Sequence, residues 1–593
     1  MFNRYYNQEL NNLRELAVEF SKTHPVLAPY LNLDGRVADP DVERMLEGVA
    51  FLNGLLRQKL DDEFPEIIHG LTDVVFPHYL RPIPSASIIA FSPKDSLQES
   101  VTVPKGTSLA SVPVDGTSCL FQTCFAVEVH PLQLTNAQFI EPPRKASKIR
   151  ISIKSPTSNL NTLSVKRLRF FLGGNYADAA DLYLLLNRHI NSVTILPKQG
   201  GQPLTLPSDV IKPAGFAEHE SLIPYPSQTF TGYRLLQEYF LLPEKFLFID
   251  ITGFDKWTDR GDGHEFDIDL ELKSQSAYPP PVKRESFVLF ACPVINLFKH
   301  HADPIMLDHR RSTYHVRPSI PPSGAKTHVR PSSEDKTDHF QVYSVESVIG
   351  VVQGSLTQKK YSSLEAFDSD GTHRYIYQLE HKASVSGKSV QIYLSLPYSV
   401  KSASPERESI SIELICTNGS ITEGLQVGDI SQHTTESPHL MEFKNLTPPT
   451  NALHPLLSDN MLWQFLSHLS LNYLSLANTD NLKDLLSLYS FPDGREQAQV
   501  IANRKRIDGI VDIQVKPSDR LVDVYLMRGQ DIRVDLQADN FAGQGDLFLF
   551  GSVLDRFFGV YTHLNSYTQF TARDINTGSE YLWQPKIGKT PLL

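Results

Sequence analysis

The sequence predicts a multidomain α+β protein that is mostly β, with a helical N-terminal segment, several β-sandwich-like domains and a C-terminal α+β domain. Its 593 residues suffice for several domains at ~100–200 residues each. In the first 80 residues, apolar side chains recur every three or four positions, as they do along one face of a helix. From residue 81 onward they alternate with polar side chains in short runs bounded by Gly and Pro, which indicates strands.

The N-terminal segment, residues 1–84, is expected to contain three helices. The first carries the apolar stripe Tyr6, Leu10, Leu13, Leu16 and Phe20. The second starts at Asp39, which suits an N-cap, and Pro40, which suits the first helical position. Its stripe is Val42, Leu46, Val49, Leu52 and Leu56. The third is expected near residues 65–76. Isolated helices of this length are marginal in water, so each needs a packing partner.

The rest of the chain divides into β-rich and mixed parts. Residues 85–316 are expected to be β-rich with an inserted helix at 176–189, and the apolar run 287–295 is interpreted as one buried strand. Residues 317–339 are rich in Pro and Ser and predict a polar linker or loop. A second β-rich domain is expected at 340–450, and a C-terminal α+β domain at 451–593. Helices are predicted there at 458–477, 479–489 and 545–565, and strands at 509–516, 521–527, 531–537 and 566–574.

Composition excludes several classes of protein. The formal net charge of −11 and the absence of a cationic cluster argue against nonspecific nucleic-acid binding. Four cysteines in so long a chain do not form a disulfide framework and fit a reducing compartment. The first residues lack the apolar core of a signal peptide, and no apolar run approaches the ~20 residues of a membrane-spanning helix. The sequence therefore predicts a soluble cytoplasmic protein without membrane insertion.

Motifs of common enzymes are missing from the sequence. It contains no P-loop, no H-E-x-x-H and no G-x-S-x-G. The carboxylates Asp61, Asp62, Glu63 and Glu66 precede the third helix, where the helix dipole stabilises them, so a catalytic role is disfavoured. Cys119 and Cys124 form no C-x-x-C pair and are expected in the core.

The stretch FKHHADPIMLDHRRSTYHV, residues 298–316, combines residue types that bind zinc. It contains His300, His301, Asp303, Asp308, His309 and His315. On a strand, His300 and His301 would point to opposite faces and could not easily share one metal ion. Arg310 and Arg311 would oppose a cation. Two readings stay open at this point: a metal site with the geometry that zinc requires, or a polar loop or partner-facing surface.

Several stretches of the chain resemble the TssF family of bacterial type VI secretion systems. The most specific are DPDVERMLEGVAFLNGLLRQKLDDEFPEIIHGLTDVVFPHYLRPIPS (39–85), CPVINLFKHHADPIMLDHRRSTYHV (292–316) and FAGQGDLFLFGSVLDRFFGVYTHLNSYTQ (541–569). Shorter matches lie at 5–20, 101–109, 121–123, 232–253, 343–348, 416–420 and 428–430, so the resemblance runs almost end to end.

The resemblance implies a non-enzymatic structural subunit without a cofactor or catalytic residue, similar to wedge proteins of contractile-phage baseplates. It implies an assembly of two TssF copies with one TssG, joined to TssK and TssE around the VgrG hub. Such wedges dock on the inner-membrane secretion complex and prime growth of the contractile tail. The alternative, a β-sandwich metal-dependent hydrolase or glycan-binding protein, would use the region of His300, His301 and His309.

Eight apolar residues are expected to meet partner chains. They are Leu10, Leu13, Leu16, Phe20, Leu46, Leu52, Phe557 and Phe558. The first six lie on the N-terminal helices, whose stripes exceed what two or three short helices can bury, and the family precedent is a helical bundle shared between chains. The last two lie on the C-terminal helix, which is apolar around its circumference and should pack on strands 508–536 and on another part of the assembly. The competing hypothesis is that these residues pack only within their own chain.

Overall fold

The computed structural model describes most of the chain. The described residues are 6–14, 16, 41, 44–56, 78, 80–143, 146–225, 231–273, 279–307, 311–319, 339–352, 358–363, 375–383, 390–396, 408–454, 478–490, 497–522, 525–562 and 564–588. The helices among them are α1 (6–14), α2 (44–56), α3 (Tyr176–Arg188), α4 (Thr231–Leu241), α5 (Thr479–Tyr489), α6 (Gln497–Asp508) and α7 (Gln544–Val560).

The strands are numbered in chain order. Those before residue 296 are β1 (Ala86–Pro93), β2 (Val101–Val103), β3 (Ser108–Val114), β4 (Thr117–Thr123), β5 (Val127–Val129), β6 (Gln133–Ile140), β7 (Lys148–Lys154), β8 (Arg167–Leu172), β9 (Ile190–Pro197), β10 (Leu204–Pro207), β11 (Ile211–Ala214), β12 (Phe248–Thr252), β13 (Glu265–Leu272), β14 (Phe287–Leu289) and β15 (Ala291–Ile295). The next are β16 (Phe298–His301), β17 (Ile305–Leu307), β18 (Thr313–His315), β19 (Gln341–Val352), β20 (Gln358–Ser363), β21 (Ile376–Ala383), β22 (Val390–Ser395) and β23 (Glu408–Thr417). The last are β24 (Ile430–Gln432), β25 (Met441–Asn445), β26 (Ile510–Val522), β27 (Tyr525–Leu536), β28 (Ser566–Asp574), β29 (Glu580–Leu582) and β30 (Lys586–Ile587).

The first unit is a six-stranded sheet in the order β24-β3-β4-β15-β1-β25. Its end strands, β24 and β25, are joined through Asn445, which is fully buried. The Oδ1 atom of Asn445 accepts the N–H groups of Gly428 (2.9 Å) and Ile430 (3.0 Å). The sheet therefore combines strands from residues 86–295 with strands from 430–445, across the predicted boundary between the two β-rich domains. That domain division stays a prediction.

Two further sheets follow within residues 133–289. One has five strands in the order β10-β9-β13-β7-β6, and the other has four in the order β11-β12-β8-β14. The prediction of one strand at 287–295 is wrong. Phe290 has a φ of 57°, which turns the chain so that β14 pairs with β8 while β15 pairs with β1. The buried run is thus divided between two sheets.

Residues 298–417 form a separate β unit, which we call the barrel. Its strands run in the order β16-β23-β19-β20-β21-β22-β18, with β17 also paired to β23. The two ends of this order meet at a bridge between Ala302 and Pro318. The N–H of Ser319 donates to the carbonyl of His301 at 2.9 Å, so the ring of strands is closed. A hydrophobic cluster of its own fills the barrel, with Val348, Ile410 and Leu414 fully buried.

The C-terminal unit is a sheet in the order β26-β27-β28-β29, with β30 also paired to β28. α7 makes the crossover between the parallel strands β27 and β28. The strand predicted at 521–527 is wrong, because β26 ends at Val522 and β27 starts at Tyr525. The helix predicted at 458–477 lies outside the described residues. The predicted fold class, a mostly β protein with a helical N-terminal segment and a C-terminal α+β part, is confirmed.

Candidate partner interface

Helix α2 presents its large apolar side chains outward. Met45, Val49, Leu52 and Leu56 are spaced four, three and four residues apart, so they lie on one face of the helix. Met45 is 73% exposed, Leu52 60% and Leu56 61%. A face of this kind costs free energy in water unless another surface covers it.

The opposite side of α2 carries its small residues. Ala50 and Gly54 are buried, and they lie four residues apart on the side that faces the chain. A helix that packs only on its own domain normally buries its large apolar residues and exposes its polar ones. α2 instead exposes its large apolar residues together with Arg44 and Glu47. Phe51 and Leu55 are also largely exposed, so the outward apolar surface is wider than a single stripe.

The other predicted N-terminal contact residues lie in graded environments. Leu10 on α1 is buried, Leu13 is half-buried, and Leu16 is 59% exposed. Leu46 on α2 is half-buried. Phe20, the third predicted helix and the acidic run at 59–66 lie outside the described residues. The exposure of the three leucines therefore increases from residue 10 to residue 16, and the contact of these residues with a partner stays a prediction.

Phe557 and Phe558 of α7 lie inside the chain. Phe557 packs against Tyr233 of α4, with 6.0 Å between ring centroids, and Phe558 stacks on Phe570 of β28 at 5.8 Å. Both rings are essentially unexposed. The main strand under α7 is β28, so the predicted support at 508–536 lies one strand further out. The chain itself accounts for the burial of these two rings, and a further contact with a partner stays a prediction.

A buried polar cluster that the sequence does not indicate fixes α7 to the rest of the molecule. The Nε–H of Arg506 on α6 donates to Asp546 Oδ2 at 3.0 Å, and Tyr176 Oη–H on α3 donates to Asp546 Oδ1 at 2.7 Å. Burial raises the pKa of Tyr176 well above its usual value, which keeps the hydroxyl protonated as a donor. The guanidinium of Arg506 also lies over the rings of Tyr176 and Tyr239, at 5.3 and 5.8 Å from their centroids.

The Asp546 carboxylate could be anticipated only in part. Its place in the first turn of α7 is favoured by the helix dipole. Its partners, however, come from helices 40 and 370 residues away in sequence. No local pattern specifies such pairs, so the sequence gives no sign of the buried cluster.

Two of the described histidines of 298–316, His300 and His315, contact other residues of the barrel. His300 Nε2–H donates to the carbonyl of Ser319 at 2.6 Å, and its ring stacks on Phe340 at 5.0 Å. His301, the next residue on β16, is exposed. His315 stacks on Tyr393, and its Nδ1 accepts the Nε–H of Arg317 at 2.9 Å. These contacts fix the barrel's closing strands.

The geometry offers no metal centre in the part of the chain that the structure describes. Within those residues, no group of three His, Cys, Asp or Glu side chains is placed to hold a metal ion. Asp308 and His309 lie outside them. The cysteines are buried and free, as expected for Cys119 and Cys124. Burial raises the pKa of Cys119 to about 11, so its thiol stays protonated. None of the described helices has the length and apolar character needed to cross a membrane.

Comparison with known proteins identifies the family. The family model for the type VI secretion system protein TssF matches residues 1–590. The chain is 29% identical to the type VI secretion system component TssF1 of Pseudomonas aeruginosa strain PAO1, over 99% of both chains. A chain in the cryo-electron microscopy structure of the TssK-TssF-TssG baseplate subcomplex is 28% identical, with a TM-score of 0.76, covering 93% of this chain and 99% of that one.

A second solved structure, the baseplate complex from the type VI secretion system, contains a chain that is 25% identical. Its TM-score is 0.63, and the match covers 100% of both chains. The chain belongs to the TssF family of the type VI secretion system.

Proposed function

We propose that this chain is a structural, non-enzymatic subunit of the type VI secretion baseplate, and that it assembles with TssG and TssK. Family membership supports this, as does the likeness to chains of the TssK-TssF-TssG subcomplex and the baseplate complex. The observation that carries the proposal is the outward apolar face of α2, which a structural subunit would bury in its assembly.

The partner of α2 is TssG together with a second copy of this chain. Because large apolar residues occupy more than one side of α2, one neighbouring helix would not cover them all. A bundle with helices from several chains would cover these apolar residues. In this arrangement Leu10, Leu13, Leu16, Leu46 and Leu52 lie in a seam between chains, in a wedge of two TssF copies and one TssG.

The wider assembly follows from the same proposal. The wedge joins TssE and is arranged with other wedges around the VgrG hub. The assembly docks on the inner-membrane complex from the cytoplasmic side and primes growth of the contractile tail. The family resemblance and the likeness to baseplate structures support this arrangement. A search for TssE and VgrG in the purified native assembly, with copy numbers from native mass spectrometry, tests it.

The test of the interface is a charge placed on the outward face of α2. The double variant Leu52→Asp with Leu56→Asp is co-expressed with TssG, and the complex is purified through a tag on TssG. Both residues are about 60% exposed in the free chain, so the variant should fold. In the seam each carboxylate would lose its hydration, at a cost of several kcal/mol, so TssG should no longer retain the chain.

Leu440→Asp and Met306→Asp are the matched controls, since these residues are also exposed apolar side chains but lie on the β units. Both should co-purify with TssG at the level of the parent chain. Retention of the α2 double variant at the parent level would refute the interface, and loss of both controls would show that charge on any surface disrupts the assembly.

The alternative function, a metal-dependent hydrolase or glycan-binding protein centred on His300, His301 and His309, gains no support. His300 is bound to the Ser319 carbonyl and His315 is stacked on Tyr393, whereas His301 is exposed. Hydrolytic turnover by the purified chain would be needed to favour it.

A further inference from the structure

The barrel is inserted into the six-stranded sheet. The chain leaves β15 of that sheet at Ile295 and enters the barrel at Phe298. It leaves the barrel at Thr417, the end of β23, and returns to the sheet at β24. The two crossings lie side by side, because Phe298 pairs with Cys416. Any rotation of the barrel against the sheet would therefore bend the backbone at this one place.

A fully buried polar group joins the two crossings. Asn296 lies on the entering crossing, and Thr417 and Asn418 on the returning one, all with no exposed surface. The Nδ2–H group of Asn296 donates to Asn418 Oδ1 at 2.8 Å. In return, Asn296 Oδ1 accepts the Thr417 hydroxyl at 2.7 Å and the Asn418 N–H at 2.6 Å.

The side-chain amides of Asn296 and Asn418 also form hydrogen bonds to the six-stranded sheet and to the barrel. Asn296 Nδ2–H donates to the Leu120 carbonyl of β4 at 2.7 Å, and the Leu120 N–H donates to Asn418 Oδ1 at 3.2 Å. Asn418 Nδ2–H donates to the His339 carbonyl next to β19 at 3.2 Å. The Oδ1 atom of each amide thus accepts two hydrogen bonds, and the Asn296 amino group donates two.

Apolar contacts surround this polar junction. Leu120 of the sheet packs against the barrel's hydrophobic cluster, and Ile415 of the barrel packs against the main core. Tyr343 of β19 is buried in the main core, under the guanidinium of Arg81. The amides themselves have no exposed surface, and a satisfied hydrogen-bond network in such surroundings is stiff, since breaking any bond leaves a buried group unpaired.

We infer that Asn296, Thr417 and Asn418 form a rigid mount, which makes the barrel and the six-stranded sheet move as one body. A flexible connection would need crossings free to bend. Here each crossing holds the other through short hydrogen bonds that have no water to replace them. The inference concerns the mechanics of the chain itself and holds whichever partner binds the barrel.

The experiment measures the distance between the two bodies. Spin labels are attached to Ser92→Cys, exposed on β1, and to Met306→Cys, exposed on β17. The native cysteines need not be removed, because all four are buried and burial raises their thiol pKa values. Double electron-electron resonance on the parent chain should give one narrow distance peak. Asn418→Ala should lose that narrow peak and give a broad distribution.

Asn503→Ala is the matched control. Asn503 is a buried asparagine on α6, an element other than the labelled strands β1 and β17, and its Oδ1 atom accepts a hydrogen bond from Arg506. This variant should melt at a lowered temperature, as Asn418→Ala should, yet keep the narrow peak. Broadening in the control as well would attribute the effect to general destabilisation and overturn the inference.

Thr417→Val is the milder second variant. It keeps the side-chain shape and removes the hydroxyl that donates a hydrogen bond to Asn296 Oδ1. If Asn418→Ala does not yield folded protein, Thr417→Val decides the question, and the inference requires it to broaden the distance peak. A peak as narrow as that of the parent in the folded variant overturns the mount.

Discussion

Helices α2 and α7 are both strongly apolar, but they differ in which side chains face the protein. α7 turns large residues inward, with Phe550, Phe557 and Phe558 buried against α4 and β28. α2 turns Ala50 and Gly54 inward and exposes Met45 and Leu52. The cover of α7 belongs to the same chain, whereas the described residues of this chain leave the large face of α2 in solvent.

The difference separates two roles for the same physical force. Burial of apolar area stabilises whichever contact removes that area from water, within a chain or between chains. In α7 it stabilises the fold, so damage to the helix should unfold the chain. In α2 the same area is available to a partner, so damage should leave the chain folded and impair assembly. Substitutions in the two helices can break or sharpen this contrast.

Deletion of residues 545–593 should have the largest effect. It removes α7, β28, β29 and β30, which cover one side of α3 and α4. The exposed aromatic surface should make the truncated chain insoluble, and wedge formation with TssG should be lost. Fractionation and co-purification measure this. A soluble truncated chain that still assembles and supports secretion would contradict the role given to α7.

Phe557→Ala should cost about 3–5 kcal/mol of unfolding free energy, because it leaves a cavity among Tyr233, Phe558 and Tyr561. Leu52→Ala should change the free energy of unfolding by no more than about 0.5 kcal/mol, since the side chain is already in solvent. Chemical denaturation of both variants measures the difference. Equal costs would remove the contrast between the helices.

Arg506→Met should lower the free energy of unfolding by a similar amount, about 3–5 kcal/mol, because it leaves the Asp546 carboxylate buried without its cation. Arg506→Met combined with Asp546→Leu removes both charges and should recover part of the loss. Denaturation of the single and double variants gives the coupling free energy between the two residues. A coupling near zero would mean that the pair does not hold α6 on α7.

The sequence predicts local elements well where the pattern is local. The helix at Thr479–Tyr489 and the strand at Ser566–Asp574 match their predicted limits, since the spacing of apolar residues is visible within each element itself. The sequence does not predict the break at Phe290. Its positive φ arises because the strands on either side belong to different sheets, and no local pattern shows which sheet a strand joins. The barrel closure at Ala302 and Pro318 was missed for the same reason.

The candidate interface could be predicted only as far as the helix and its apolar stripe. The spacing of Leu46, Val49, Leu52 and Leu56 predicts a face that needs covering. It does not say that Ala50 and Gly54 face inward, because that depends on the surface on which the helix rests. Likewise, the apolar circumference of the C-terminal helix gives no sign that Phe557 is covered by α4 and β28.

The variant Leu13→Asp tests whether α1 takes part in the proposed interface with TssG. Leu13 is half-buried in the chain, so a carboxylate there can keep part of its hydration in the free protein. In a seam with TssG it would be buried without a partner, at a cost of several kcal/mol. We expect the variant to express with unchanged near-ultraviolet circular dichroism and to lose TssG in co-purification. Loss of the fold together with binding would favour packing within the chain, and full binding would refute the shared bundle.

The smallest effect is expected in the metal content of the purified chain. His300 is occupied by the Ser319 carbonyl and the Phe340 ring, and His301 lies on the other face of β16. The purified chain should therefore retain less than about 0.2 equivalents of zinc after dialysis, well below a structural site, where the metal is bound tightly.

The double variant His300→Ala with His309→Ala should stay soluble and leave the zinc content unchanged. Its folding cost should be small, because the imidazole of His300 is only half-buried. Elemental analysis of the parent and the variant decides the question. Near-stoichiometric zinc in the parent that resists dialysis and disappears from the variant would establish a metal site, and the histidines would then have a chemical role instead of holding the closing strands.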